Sequence, residues 1–228
     1  MIFAADDRSV VFAVASQVEA RALFPEVELA FWQSVCVGDG AEAVLTGVGK
    51  ANAAGGVARV LDARRHAGVV SVGVGGCLPG SGLKIGSVVV GSASVFSDEG
   101  VATPTGFVAA STLGFSPGVD GDEVEGDSQW VDALAGMGLG PVRIATVSAC
   151  SGTDERAKLI VSRSGSSVEA MEGAAVGCVA ARLGFRFCEI RAISNTTGDR
   201  DGQVWDLPLA LDRLKLIVGN ILGRADCD

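Results

Sequence analysis

Residues 68–74 read GVVSVGV, seven positions without a charge, and five further Val-rich runs punctuate the chain. They are SVVFAVA (9–15), EAVLTGV (42–48), GSVVVGSA (86–93), VRIATVSA (142–149) and FCEIRAIS (187–194). Short β-branched runs that are apolar on both faces belong to strands buried between two layers, as in parallel sheets. Helical periodicity fills the intervals at 19–23, 50–65, 155–162, 173–183 and 205–222, the last carrying leucine at 207, 211, 214, 216 and 222. The alternation predicts an α/β fold with a central, largely parallel sheet, and the length suits a single domain over 1–228. Residues 98–140 are dense in Gly, Pro, Ser and acids with little periodicity, and read as an active-site loop followed by a short surface helix.

The net charge of −9 comes without any Lys/Arg cluster, which argues against a nucleic-acid partner, because phosphate backbones demand concentrated positive charge. No apolar run reaches the roughly 18 residues of a membrane span. The opening MIFAADDRSV carries acids where a secretory signal carries positive charge, so a cytoplasmic location and a small-molecule partner are expected. Cys36, Cys77, Cys150, Cys178, Cys188 and Cys227 lie far apart and mostly among apolar neighbours, the pattern of reduced, buried thiols. With one histidine, His66, and no CxxC pair, a zinc site of the usual ligands cannot be assembled, and Ser-His-Asp chemistry would depend on His66 as well. Its setting in ARRHAG reads as the cationic C-terminal end of a helix.

Ligands of α/β sheets bind outside the carboxyl ends of the strands, so the residues after each strand carry the functional information. GVGGCLPG (73–80) offers backbone that a ligand can approach closely, with Gly75 and Gly76 at its centre, although a tight turn explains the string equally. GVGKAN (47–52) opens a helix without the spacing of a phosphate-binding Walker loop. In VEAMEGAAVGCVAA (168–181), Glu172 precedes a run of small residues; a capping role and a role in holding a vicinal diol both fit it.

These stretches, with RAISN (191–195), resemble the nucleoside phosphorylase and nucleosidase superfamily over most of the chain. ISNTTGDRDGQVWDLPLAL (193–211) is similar to the SN-x-x-G-x-RD segment and following tryptophan of its futalosine hydrolase branch. The resemblance implies a three-layer α/β/α sandwich around a mixed sheet, a homo-oligomer, and neither metal nor organic cofactor. It also implies hydrolysis of the N-glycosidic bond of a purine nucleoside, futalosine, with release of hypoxanthine.

Residue by residue, Glu19 matches the family's water-activating acid, against the alternative of an exposed helix glutamate beside Arg21. Glu172 matches the ribose-binding acid, with Met171 beside it on the sugar. Ser194 and Asn195 match the base-binding segment. An amide at 195 can donate to a carbonyl at purine position 6 and accept from a protonated N7, whereas the aspartate of adenine-releasing relatives only accepts. Asp199 is a candidate for protonating the leaving base and Arg200 for meeting a substrate carboxylate, against the equal alternative of a surface ion-pair cluster, and Trp205 and Phe107 are candidates for the apolar lining, against a place in the core. The rival readings are an adenine-type nucleosidase, a phosphorolytic enzyme, which Glu19 disfavours by repelling phosphate, and a nucleoside-binding protein without turnover.

Overall fold

The computed structural model describes Phe3 and residues 8–224. Cys227 and most of the acidic opening lie outside them. In chain order the elements are β1 (Ser9–Val14), α1 (Gln17–Leu23), β2 (Ser34–Gly38), β3 (Ala41–Leu45), α2 (Lys50–Val60), β4 (His66–Cys77) and β5 (Val88–Phe96). Then follow β6 (Gly100–Thr103), β7 (Gly106–Ala109), β8 (Glu123–Glu125), α3 (Ser128–Gly136), β9 (Gly140–Thr146) and α4 (Asp154–Ser164). β10 (Val168–Ala170), α5 (Gly173–Leu183), β11 (Arg186–Thr196) and α6 (Leu207–Ile221) complete the described chain.

The central sheet runs β10-β9-β5-β11-β4-β1-β3-β2, with β8 paired to β5. The β1–β3, β1–β4, β4–β11, β5–β9 and β9–β10 pairs are parallel, while β2–β3, β5–β11, β5–β8 and β4–β10 are antiparallel. Because β10 pairs with both β9 and β4, the sheet curls back on itself and carries β10 across the carboxyl end of β4.

Strand alternation builds the layers. Val10, Phe12 and Val14 of β1 join Leu23 of α1, Trp130 of α3 and Leu214 of α6 in one core, whereas Val11 and Ala13 join Val57 of α2 and Val176 of α5 in another. The result is the expected α/β/α arrangement. α5 lies unusually close to the sheet because its inner face is Gly173, Ala174, Gly177 and Ala180, and a Cβ at Gly177 would run into the Phe187 ring. Helix starts are capped by side chains: Asp127 accepts from Trp130 N at 3.1 Å, Thr153 from Arg156 N at 3.2 Å and Asp206 from Leu209 N at 3.0 Å.

Four expectations are corrected. The 98–140 stretch is not one loop: it folds into the β6–β7 hairpin, a 3-10 turn at Ser111–Leu113 and β8, strands too short to show periodicity. The helix after it is no surface helix, since Trp130 and Leu134 are fully buried and the Phe3 and Trp130 rings meet at 4.6 Å. His66 does not end a helix. α2 stops at Val60, and His66 opens β4 fully buried, its Nδ1 accepting from Asp62 N at 3.0 Å and its Nε2 3.3 Å from Glu42 Oε1. The thiols are free, with Cys77 and Cys188 buried, but Cys36 and Cys150 are exposed. Among the described residues no helix is long and apolar enough to cross a membrane.

Trp130 joins α3 to the sheet and the chain start, so Trp130→Ala is expected to cost about 3–5 kcal/mol in denaturant unfolding. Trp130 does not line the cleft described below, which predicts unchanged specific activity in the folded fraction.

Candidate active site

A cleft of about 360 Å³ opens at the carboxyl ends of β1, β4 and β11, bounded also by β10 and the segment 200–207. Two polar centres share it, three residues apart along β4, where Arg191 pairs with Gly73 and Asn195 with Gly76.

The first centre is built around Arg191, which is 1 % exposed. Its Nε donates to Glu189 Oε1 at 2.8 Å, and its Nη2 donates to Ser71 Oγ at 3.0 Å and Glu172 Oε2 at 3.3 Å. Burial works against this charge, but Glu189, Glu172 and Glu19 outweigh it and hold the guanidinium protonated. Glu189 is itself fully buried and takes a further hydrogen bond from Ser94 Oγ. Gly49 N donates to the other oxygen of Glu172 at 3.0 Å, which ties the entrance of α2 to the entrance of α5.

Glu19 reaches the same centre from α1. Its Oε1 accepts from Val74 N at 2.9 Å; its Oε2 accepts from Ser16 Oγ at 2.7 Å and Ser16 N at 3.0 Å. Ser16 caps Glu19 N in return, a reciprocal capping box. Glu19 is therefore a buried carboxylate, 6 % exposed, rather than a solvated helix residue. Gly73 lies between it and Arg191, and a Cβ there would collide with both side chains. Gly173 is similarly required, because a Cβ would occupy the space of the Glu189 carboxylate.

The second centre is Asn195, with Ser194, Glu169 and Ser151. Thr196 O can only accept, so the group 2.9 Å from it is Nδ2, and Ser194 Oγ donates to Oδ1 at 2.7 Å. The amide orientation is thus fixed. One Nδ2 proton and one Oδ1 lone pair remain for a ligand. Burial pushes the Glu169 carboxyl up, opposed by the Ser151 hydrogen bonds and Arg156. Cys150, on the cleft wall, counts as exposed. Even so, desolvation of its sulfur, then the charges of Glu169 and Glu172, push its thiol up to about 11, so it is no thiolate nucleophile at neutral pH.

Of the residues singled out by sequence, Glu19, Gly75, Gly76, Met171, Glu172, Ser194, Asn195, Arg200 and Trp205 all line this cleft. Arg200 lies over the Trp205 ring at 4.9 Å and donates to Gln203 Oε1 at 3.0 Å, on the Asn195 side. Two candidates are not brought in. Asp199 is exposed and turned to the start of α4, accepting from Asp154 N at 2.9 Å, so it is not placed to protonate a ligand in the cleft. Phe107 is carried off by the β6–β7 hairpin to stack under Arg163 at 4.0 Å. Sequence reading missed Arg191, Glu189 and Glu169. Glu189 and Arg191 carried a signal: two opposite charges at i and i+2 share one face of a strand otherwise buried on both sides, and such a pair persists only in a built ion cluster.

Residues 19–222 match the family model described as the phosphorylase superfamily. A futalosine hydrolase of Acidothermus cellulolyticus is 36 % identical over 191 residues, covering 82 % of this chain and 77 % of the relative. A 5'-methylthioadenosine/S-adenosylhomocysteine nucleosidase of Geobacillus kaustophilus is 33 % identical over 171 residues, covering 72 % and 71 %. The native structure of a futalosine hydrolase of Helicobacter pylori superimposes with a TM-score of 0.75 at 20 % identity, covering 96 % of this chain and 99 % of that one, and shares the fold. With a family model matched over nearly all its length and curated relatives above 30 % identity, the chain belongs to the phosphorylase superfamily.

Proposed function

We infer that the protein hydrolyses the N-glycosidic bond of futalosine, releasing hypoxanthine. The observation that carries this is the residual hydrogen-bonding capacity of Asn195: one donor and one acceptor, the complement of O6 and of a protonated N7 on a departing 6-oxopurine. The curated relatives named futalosine hydrolase support the same substrate.

In this reading the sugar lies at the Arg191 centre. Glu172 holds the 2' and 3' hydroxyls, with Met171 against the ring, and Glu19 takes a proton from the attacking water. The water oxygen bonds to the anomeric carbon from the face opposite the base. The C1'–N9 electron pair departs with the base, which takes a proton from solvent on N7 and is received by Asn195, while Glu19 returns its proton to solvent. The transition state carries positive charge on the sugar, and three carboxylates against one guanidinium give that end the sign that stabilises it. The same sign opposes phosphate. Arg191 is the only cation at this centre among the described residues, and its donors are already turned to Glu189, Glu172 and Ser71, which favours water over phosphorolysis. Gly75 and Gly76 let the nucleoside lie against β4, while Trp205 and Arg200 border the base. No step calls on a metal or organic cofactor.

The same reading includes a cytoplasmic homo-oligomer. Phe31, Trp32 and Val48 line a shallow apolar groove, and Val48 also borders the cleft, which supports a covered surface there.

Purified protein given futalosine, its 6-amino counterpart, inosine and methylthioadenosine, each with and without phosphate, is expected to release hypoxanthine from futalosine without phosphate. Adenine release alone would overturn the reading of Asn195, and phosphate dependence that of Glu19. Glu19→Gln keeps an acceptor for Ser16 or Val74, and should fold with a stability loss under about 2 kcal/mol while kcat drops about 10²–10⁴-fold. Arg191→Met strips the partner from buried carboxylates and should cost about 3–5 kcal/mol at pH 7. Burial already holds the Glu189 carboxyl above its ordinary range with Arg191 opposing, so loss of the guanidinium raises it further and the folded variant binds the extra proton. The deficit relative to wild type should therefore shrink as the pH falls toward 4.5, read by chemical denaturation across pH.

A further inference from the structure

The lysine of GVGKAN and the acid that follows β5 take no part in the hydrolytic steps, yet they form an ion pair outside the cleft wall. Lys50 is the first residue of α2. A cation in the first turn faces the positive end of the helix dipole, and this helix start has no side-chain cap, since Gly49 stands at the N-cap position. The local sequence thus does little to hold it, and long-range partners do so instead. Lys50 Nζ donates to Asp98 Oδ1 and, at 2.9 Å, to Glu99 Oε1, and it lies over the Phe96 ring at 5.7 Å.

Asp98 is the hub of this contact. Its second oxygen accepts from Ser148 N at 2.7 Å and lies 3.7 Å from Arg156 Nη2, and Arg156 in turn donates to Ala149 O from Nε at 3.1 Å and from Nη2 at 2.8 Å. The loops leaving β3, β5 and β9 are thereby pinned to one another. The first of them delivers the N–H of Gly49, which donates to Glu172 Oε1 at 3.0 Å, while Arg191 Nη2 meets the other oxygen at 3.3 Å. Each carboxylate oxygen offers about two lone pairs, so one protein donor on each leaves one lone pair on each, matched to two adjacent hydroxyls. Gly49 takes φ of 90°, in the left-handed region, so the direction of its N–H depends on what holds the chain on either side.

We propose that Lys50 is a positioning residue for the sugar: held by Asp98, it fixes the start of α2 so that Gly49 N–H keeps the Glu172 carboxylate in the orientation that receives a vicinal diol. The assignment rests on the nucleosidase reading above, which gives Glu172 the diol, and extends it to an ion pair that touches no substrate. Without the pair the start of α2 drifts and Glu172 is steered by Arg191 alone. The hydroxyls then lose an acceptor arranged in advance.

Lys50→Met removes the charge while keeping helix propensity and most of the side-chain length. Asp98 retains Ser148 N and Arg156, so no carboxylate is left bare. In the full chain, kcat/KM for futalosine divided by that for its 2'-deoxy counterpart is expected to fall about 10-fold, the scale of one hydrogen bond to a charged group. Lys50→Arg, which keeps a cation facing Asp98 and Glu99, should recover most of that ratio. A purely structural ion pair makes a different forecast: both substrates would lose equally, in step with the folded fraction read by thermal melting. An unchanged ratio, an equal loss for both substrates, or a wild type without preference for the ribose form would overturn the assignment. Should Lys50→Met not fold, Asp98→Asn carries the same test with the same expected direction. If wild type releases no base from any nucleoside, the hydrolytic reading fails. Lys50 is then still judged by whether wild type binds inosine more tightly than 2'-deoxyinosine and Lys50→Met loses that preference in Kd.

Discussion

A fully buried guanidinium constrains everything around it. Arg191 cannot reach water, so its charge must be answered within the protein, and Glu189, Glu172 and Ser71 supply the answer from three different elements. Such clusters contribute little net stability compared with apolar packing of the same volume, while breaking one is costly. Their retention in the middle of a sheet is therefore better explained by what they hold in place. Here the cluster holds Glu172 at the head of α5, with Glu19 across Gly73 from the guanidinium, and it excludes side chains at Gly73 and Gly173, where there is room only for hydrogen.

The curl of the sheet supplies the other half of the architecture. An open parallel sheet would leave β10 at its far edge, remote from β4. Pairing with β4 as well as β9 brings Glu169 against Gly76 and sets the Met171–Glu172 pair directly above the carboxyl end of β4. The cleft thus has a floor from β4 and β11 and a wall from β10. Acidic and amide centres thus come to line one cleft.

Much of this was legible in the chain. The Val-rich runs marked β1, β3, β4, β5, β9 and β11 because buried strands need unbroken apolar sequence, and Gly173–Leu183 was readable to the residue because small residues and a following glycine mark a close-packed helix with a left-handed end. β2 and β10 were not read. The first is a half-exposed edge strand, and the second has three residues and owes its conformation to two neighbours remote in sequence. Asp199 and Phe107 were grouped with the cleft by adjacency and by chemistry, but direction is a tertiary property: one turns to the start of α4, the other leaves on a hairpin. Glu169 stayed hidden because its relation to Asn195 exists only through the antiparallel β4–β10 pairing.

The capping box at α1 places one carboxylate in two structures at once. Glu19 closes the first turn of a seven-residue helix through Oε2 and Ser16, and its other oxygen fixes its position against Val74 at the edge of the cleft. A helix of that length has little cooperativity of its own, so its first turn is prone to fray. Each fraying event would withdraw the carboxylate from the cleft together with the helix that carries it. The fraction of molecules competent for turnover is then set by local order in α1, and heat would silence the enzyme through this short helix before the core melts.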